Sequence, residues 1–345
     1  MLRLAEPKEA TARSLQHRMK IHLPPIANPY TSAANSPTCA TKYWVQPSMS
    51  QLRRFLVALL ALAMPACAPV DARPAHAAPA YEGPAIWKVA DKDTTIYLFG
   101  TFHALPKDAN WFSGPVERAY EASNELVTEI PEDDVAGDAK AIAARALLPD
   151  GKSLRDMMTP ADRLKFEEAL VGLGLPIEAM DRFEPWYAAM TMTLLPAMNA
   201  GYDPKAGAEA KLTSAAEGKR KAALETVQQQ IDLFDGLPVE AQLAFLRETI
   251  ESNAKAKATL DAMVAQWLKG DADGLALLLN DELDDPVLYK RLLTDRNAHW
   301  AQWIDQRLKS PGTVFVAVGA GHLAGQDSVQ RQLRKRGIKA RRLWE

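Results

Sequence analysis

The chain has 345 residues, 48% of them hydrophobic and 24% charged, with a formal net charge of -2 at neutral pH. So even a balance leaves no electrostatic footprint for nucleic acid or for an anionic membrane surface. The length allows one large domain or two ordinary ones, and the N-terminal quarter differs in composition from everything after it.

Residues 1–48 mix basic groups, prolines and polar residues without hydrophobic periodicity. They read as an upstream mis-start of translation or as a disordered tail. From Met49 the order changes to Arg53 and Arg54, an apolar run over 55–63, and small residues ending in "AHA" at 75–77. That is the three-part order of a secretory signal peptide over 49–77, with cleavage expected after Ala77. The apolar run is too short to cross a bilayer, which takes about 20 residues. A mature chain over 78–345 is therefore expected in the periplasm or secreted, without a stable membrane span. The two cysteines, Cys39 and Cys67, both precede Ala77, so the mature chain has no thiol or disulfide and must rely on its core. Cys67 in "AMPAC" offers a lipid anchor as the alternative, although Met64 and Pro65 suit such a site poorly.

Beyond the leader, "AIWKVADKDTTIYLFG" reads as a hairpin of runs 85–90 and 95–100 around a turn-prone "DKD". "SGPVERAYEASN" predicts a helix with Ser113 near its N-cap and Pro115 in its first turn. "ELVTEI" at 125–130, closed by Pro131, predicts a core strand, and "KAALET" at 221–226 a second short one. Helical spacing dominates 138–217 and 238–309. The end returns to strand, helix and strand in "GTVFVAVG", "SVQRQLRKRG" and "KARRLW". Strands at both ends with helices between predict one α/β domain: a central mixed sheet of N- and C-terminal strands carrying a large helical insertion.

Three histidines lie beyond the leader: His103, His299 and His322. His103 in "LFGTFHALP" and His322 in "VAVGAGHLAG" share a setting, each three residues after a glycine that closes an apolar strand. Glycine there permits a sharp turn or a close backbone approach. The carboxyl end of a strand is also where α/β folds commonly place ligands. The matched pair predicts a shared site, whereas His299, inside "DRNAHWAQWIDQ", is expected to pack. A metal site needs carboxylates beside imidazoles. Glu129 in "LVTEI" and Glu225 in "AALET" are the candidates, since a carboxylate closing an apolar strand is costly unless paired or metal-bound.

These stretches resemble the TraB/GumN family, related in motif to the Tiki metalloproteases. The resemblance is carried by the paired G-x-x-H motifs "GTFH" and "GAGH", with "ELVTEIPE", "PWYAAM", "GYDPKAGAEAKLTSAAEGKRKAALETVQQQ", "LLTDRNAHW" and the final "RRLW". It covers essentially all of 78–345. It implies one site holding His103, His322 and Glu129 as metal ligands, with Glu129, Glu225 and Arg296 as catalytic groups. Asp203 in "GYDP" fits the family's G-x-D pattern, but Pro204 biases it away from helix, so it is left out of the core site. Tiki-like proteins act as metal-dependent proteases outside the cell.

The function expected is an exported metal-dependent hydrolase, a peptidase, acting on a peptide or other extracytoplasmic substrate. Its divalent cation would be manganese, cobalt or zinc, all of which accept nitrogen and oxygen ligands. Either glutamate could be ligand or general base, and Arg296 could stabilise an oxyanion. The rival is a non-catalytic exported protein that binds a peptide or glycan in the same cleft. Neither "GxSxG" nor a mature cysteine supports a covalent nucleophile, and "GAGHLAG" lacks a P-loop's lysine.

Overall fold

The structure, a computed structural model, describes residues 81–131, 135–282 and 285–343. The expected tail 1–48, the signal peptide 49–77 and Cys67 lie outside the described residues. Six strands, β1 (Ile86–Ala90), β2 (Thr94–Thr101), β3 (Glu125–Thr128), β4 (Arg220–Ala223), β5 (Gly312–Gly319) and β6 (Arg341–Arg342), join in one sheet of order β4-β3-β5-β2-β1-β6. β4, β3, β5 and β2 run parallel, while β1 lies antiparallel to β2 and β6 antiparallel to β1. The expected α/β class with a mixed sheet is the observed one.

β2 and β5, far apart in the chain, pair in register from Thr94–Gly312 to Thr101–Gly319. β5 reads "TVFVAV" without polar interruption because helices cover both of its faces. On one face Phe99, Leu126, Phe315 and Ala317 pack against α1 (Gly114–Glu121) and helices of the insertion. On the other, Ile96, Leu98, Val127, Val314, Val316 and Val318 form a second core. Each Phe, Leu, Ile or Val among them contributes about 1.5–3 kcal/mol when fully buried.

The insertion holds α2 (Val135–Ala146), α3 (Pro160–Gly172), α4 (Pro185–Asn199), α5 (Ala208–Ser214), α6 (Val227–Asp235), α7 (Val239–Ser252), α8 (Ala256–Leu268), α9 (Ala272–Glu282), α10 (Pro286–Tyr289) and α11 (Asp295–Arg307). α12 (Val329–Lys335) comes after β5. α5 and α8 cover the first face of the sheet through Ala208, Leu212, Val264 and Trp267. α11 and α12 cover the second through Trp300, Ala301, Ile304, Val329 and Leu333. α3, α4 and α7 keep a separate core around Phe166, Leu170, Met192 and Leu246. Among the described residues no helix is long and apolar enough to cross a membrane.

Three expected strands are shorter than their apolar runs. β3 stops at Thr128, whose hydroxyl donates to the Ile130 carbonyl at 2.7 Å and turns the chain. β4 stops at Ala223 because Thr226 begins a capping box with Gln229 at the start of α6. The final run pairs only through Arg341 and Arg342. Glu129 and Glu225 thus lie just past their strands.

Candidate active site at the carboxyl edge of the sheet

Four adjacent parallel strands end along one edge, and each delivers a candidate residue within three positions of its last member. In spatial order these are Glu225 after β4, Glu129 after β3, His322 after β5 and His103 after β2. The two glutamates are locked side by side, because the Glu225 amide donates to the Glu129 carbonyl at 2.8 Å. Glycine matters here through close approach. A Cβ on Gly319 would stand 3.2 Å from Glu129 Oε1, and that oxygen accepts the Gly319 amide at 2.6 Å. Gly100 lies inside β2 rather than at a turn, where a Cβ would meet the Ala320 Cα at 2.9 Å. Its role is close packing of β2 against the turn Ala320–Leu323 that carries His322.

Arg296 crosses three members of the row. A π-turn over Lys290–Thr294 leads into α11, and Arg296 points back from its first turn. Nη2 donates to Glu129 Oε2 at 2.6 Å and to Glu225 Oε2 at 2.9 Å, while Nε donates to Glu225 Oε1 at 2.9 Å. Nη1 lies 2.9 Å from His322 Nε2. Trp300, one turn along α11, packs tilted against His322 at 4.3 Å between centroids and donates its indole N–H to Glu225 Oε1 at 3.0 Å. Apart from the family resemblance, the sequence makes Arg296 an ordinary solvated helix residue, yet only 11% of its side chain is exposed.

The two motif histidines differ in chemistry. His322 is buried, and Asn297 Oδ1 sits 2.6 Å from its Nδ1. With that contact the Nδ1 carries the proton and Nε2 accepts from Arg296. Burial pushes His322 down to about 3, so it is neutral at pH 7. His103 keeps 77% of its side chain exposed, and its Nδ1 pairs with Glu209 Oε1 at 2.9 Å. The Glu209 charge and hydrogen bond raise His103 to about 9. Burial opposes ionisation of Glu129, but nearby cations and the Gly319 amide outweigh it and hold the carboxyl below the usual carboxylate range. Because His322 is neutral, Arg296 and His103 are the cations that do so.

Glu209, in the first turn of α5, escapes a reading of the sequence. An acid at a helix start has an ordinary explanation in the helix dipole, and nothing in "AGAEAKL" points to His103. His299 is exposed rather than packed and lines a cavity of about 390 Å³ with Glu225, Arg296, Trp300 and Trp303. Asp203 stays outside the row: it bridges to Leu105 and caps the turn Pro204–Ala206.

The nitrogen and oxygen donors on the His103 side are of the kinds that divalent cations accept. Glu209 Oε2 is buried without a hydrogen-bond partner, beside an exposed imidazole. On the His322 side, Arg296 occupies the nitrogen and carboxylate oxygen that would face an ion. Among the described residues no three histidine, cysteine or acidic side chains converge as a ready ligand group.

Fold and edge together define an open α/β protein with a candidate ligand site where its parallel strands end. The chain belongs to the TraB/PrgY/gumN family, whose family model matches residues 85–342. An uncharacterized protein of Treponema pallidum (strain Nichols) is 24% identical over 268 residues, covering 73% of this chain and 80% of that protein. The uncharacterized protein YbaP of Escherichia coli (strain K12) is 26% identical over 194 residues, covering 55% and 71%. Metalloprotease TIKI2 of Danio rerio is 25% identical over 299 residues, covering 70% of this chain and 57% of that protein. No solved structure gives a significant match.

Proposed function

We propose that this chain is an exported metal-dependent hydrolase and that its substrates are peptides. The observation that carries the reading is the row Glu225, Glu129, His322 and His103 on one sheet edge, with Arg296 and Glu209 set against it. The name of the zebrafish relative, a metalloprotease, supports the same class. His103 and Glu129 would hold a divalent manganese, cobalt or zinc ion, with Glu209 orienting the His103 ring through Nδ1. His322 joins them only where Arg296 gives up its Nε2. Such a cation lowers the pKa of a bound water and polarises a carbonyl.

The chain's own groups divide the remaining work. Glu129, held below the usual carboxylate range, stays ionised and is a poor proton acceptor at pH 7, which favours anchor or ligand over general base. Glu225 fixes Arg296 through two oxygens. Arg296 is then a fixed cation for an oxyanion or a substrate carboxylate. Asn297 and Trp300 hold His322 in one tautomer and orientation. Export is inferred from the expected leader at 49–77, and intact-mass analysis of the exported chain tests it. A product that keeps Met1 or begins at an acylated Cys67 sinks that part.

Metal analysis of the purified full chain, paired with cleavage of a peptide library, tests the enzyme. Activity should disappear on chelation and return with one of the three metals. Metal bound with no peptide turned over would make the protein a binder using the same cleft.

A further inference from the structure

The cavity of about 390 Å³ beside Glu225 is walled by α6 and α11. The Thr226 capping box starts α6 directly after Glu225, so Gln229 and Leu233, one turn apart, line it from a single face. On α11, Arg296, Trp300 and Trp303 recur at helical spacing and line it likewise. The cavity therefore continues from the strand-end row, with Glu225, Arg296 and Trp300 belonging to both.

Its polar lining is already committed. Glu225 accepts from Arg296 and Trp300 on Oε1, and from Arg296 and Gln230 on Oε2. Both Asp295 oxygens accept from Lys290 Nζ at 2.6 Å. Arg291 donates to the Asp232 carbonyl, and the Gln229 side-chain oxygen accepts the Thr226 amide at 2.8 Å. The apolar lining is not committed in this way. Leu224 and Trp303 are only half-buried. Among the described residues Leu233, also half-buried, joins none of the hydrophobic cores, although its α6 neighbours Val227, Ile231 and Phe234 do. A polar ligand would find few free partners here, whereas an apolar one would cover wall that water now meets.

Trp300 is already in contact with His322 and with the Arg296 guanidinium, 4.7 Å from its ring, which leaves Trp303 as the open aromatic wall. A flat ring packs well on such a wall and is favoured beside guanidinium groups, here those of Arg291 and Arg296. We infer that this cavity is a specificity pocket for an aromatic side chain of the peptide substrate, with Leu233 and Trp303 as its walls. The inference rests on the peptide reading proposed above. Neighbouring strands lie about 4.8 Å apart and an extended chain advances about 3.3 Å per residue. A ring held beside β4 thus lies within about three residues of a carbonyl at Glu129, one strand away.

The test uses the full chain and glycine–serine peptides that carry Phe, Leu, Lys or Asp at one central position. Binding is measured by calorimetry in chelator, and cleavage after manganese, cobalt or zinc is restored. The Phe peptide should bind about tenfold or more tightly than the Lys and Asp peptides, and cleavage should follow the same order. Leu233→Asp puts a charge on the wall without opening a core. It should erase that preference while Tm stays close to wild type. Wild-type protein that cleaves the peptides alike overturns this inference and leaves the proposed function standing. A Phe preference in binding with no turnover in any metal supports the pocket and overturns the peptidase reading. Neither binding nor cleavage overturns both. Should Leu233→Asp fail to fold, Trp303→Leu keeps an apolar wall and removes only the ring. The advantage of Phe over Leu should then vanish, and an unchanged advantage would count against the inference.

Discussion

His103 and His322 leave neighbouring parallel strands by the same motif, yet one faces water and the other is part of the core. The difference lies in the path the chain takes as it leaves each strand. After β2 the chain runs into a loop strapped to the start of α5, so His103 stays exposed. After β5 it coils at once into the turn Ala320–Leu323, which presses His322 under Trp300 and against Arg296. Burial keeps the second imidazole neutral, while Glu209 keeps the first protonated in the metal-free protein. One motif therefore yields two settings: an exposed imidazole paired with Glu209, and a buried one in contact with the arginine. Glycine and spacing give both histidines their address, and tertiary packing gives each its chemistry.

The largest effect should come from the residue that joins the buried half together. Arg296→Ala leaves Glu129 and Glu225 buried without their cation, which should cost about 3–5 kcal/mol in urea unfolding. A loss under about 1 kcal/mol, the range of exposed pairs, would mean the cluster is open to water and the contrast is false. His322→Ala should come next at about 2–4 kcal/mol, from lost packing on Trp300 and from unpaired Asn297 and Arg296 groups. His103→Ala should cost less, about 1–2 kcal/mol, because it leaves buried Glu209 with the Thr101 hydroxyl alone, while losing metal. Equal destabilisation by the two alanine variants would erase the comparison.

A smaller effect is expected in the pH dependence of stability, and its sign separates the two histidines. His322 falls from an ordinary 6.5 to about 3 on folding, so below pH 6.5 the unfolded chain binds the extra proton. Stability should therefore drop as pH falls from 6.5 towards 3. Glu129, held below its ordinary 4.5, adds its own loss below pH 4.5. His103 works the other way: raised from 6.5 to about 9, it stabilises fully below 6.5 and loses this as pH rises through 9. Solvent screening keeps that alkaline contribution slight. Stability curves against pH for His322→Gln should lose the acid slope between 6.5 and 4.5, and His103→Gln only the alkaline one. An acid slope that survives in His322→Gln would show that the buried imidazole is not what sets it.

Much of this could be read from the chain itself. Unbroken β-prone runs at 95–100 and 313–319 mark strands covered on both faces, because periodicity and burial are local consequences of side-chain type. Glycine three residues before each histidine, and a glutamate closing each short apolar run, mark positions at strand ends. Strand order was not legible, since pairing of β2 with β5 and of β3 with β4 is set by which hydrophobic faces meet across long insertions. Only that order turns residues 103, 129, 225 and 322 into the row Glu225, Glu129, His322, His103. Arg296 reads as a surface residue until α11 packs its first turn over the strand ends. Glu209 reads as a dipole-favoured helix acid until the strap between 102–105 and 203–208 brings it to His103. The sequence by itself determined which side chains stand at turning points of the backbone. The tertiary structure alone decided which of them are desolvated and which charges they meet, because burial and electrostatic pairing depend on distances that no local spacing fixes.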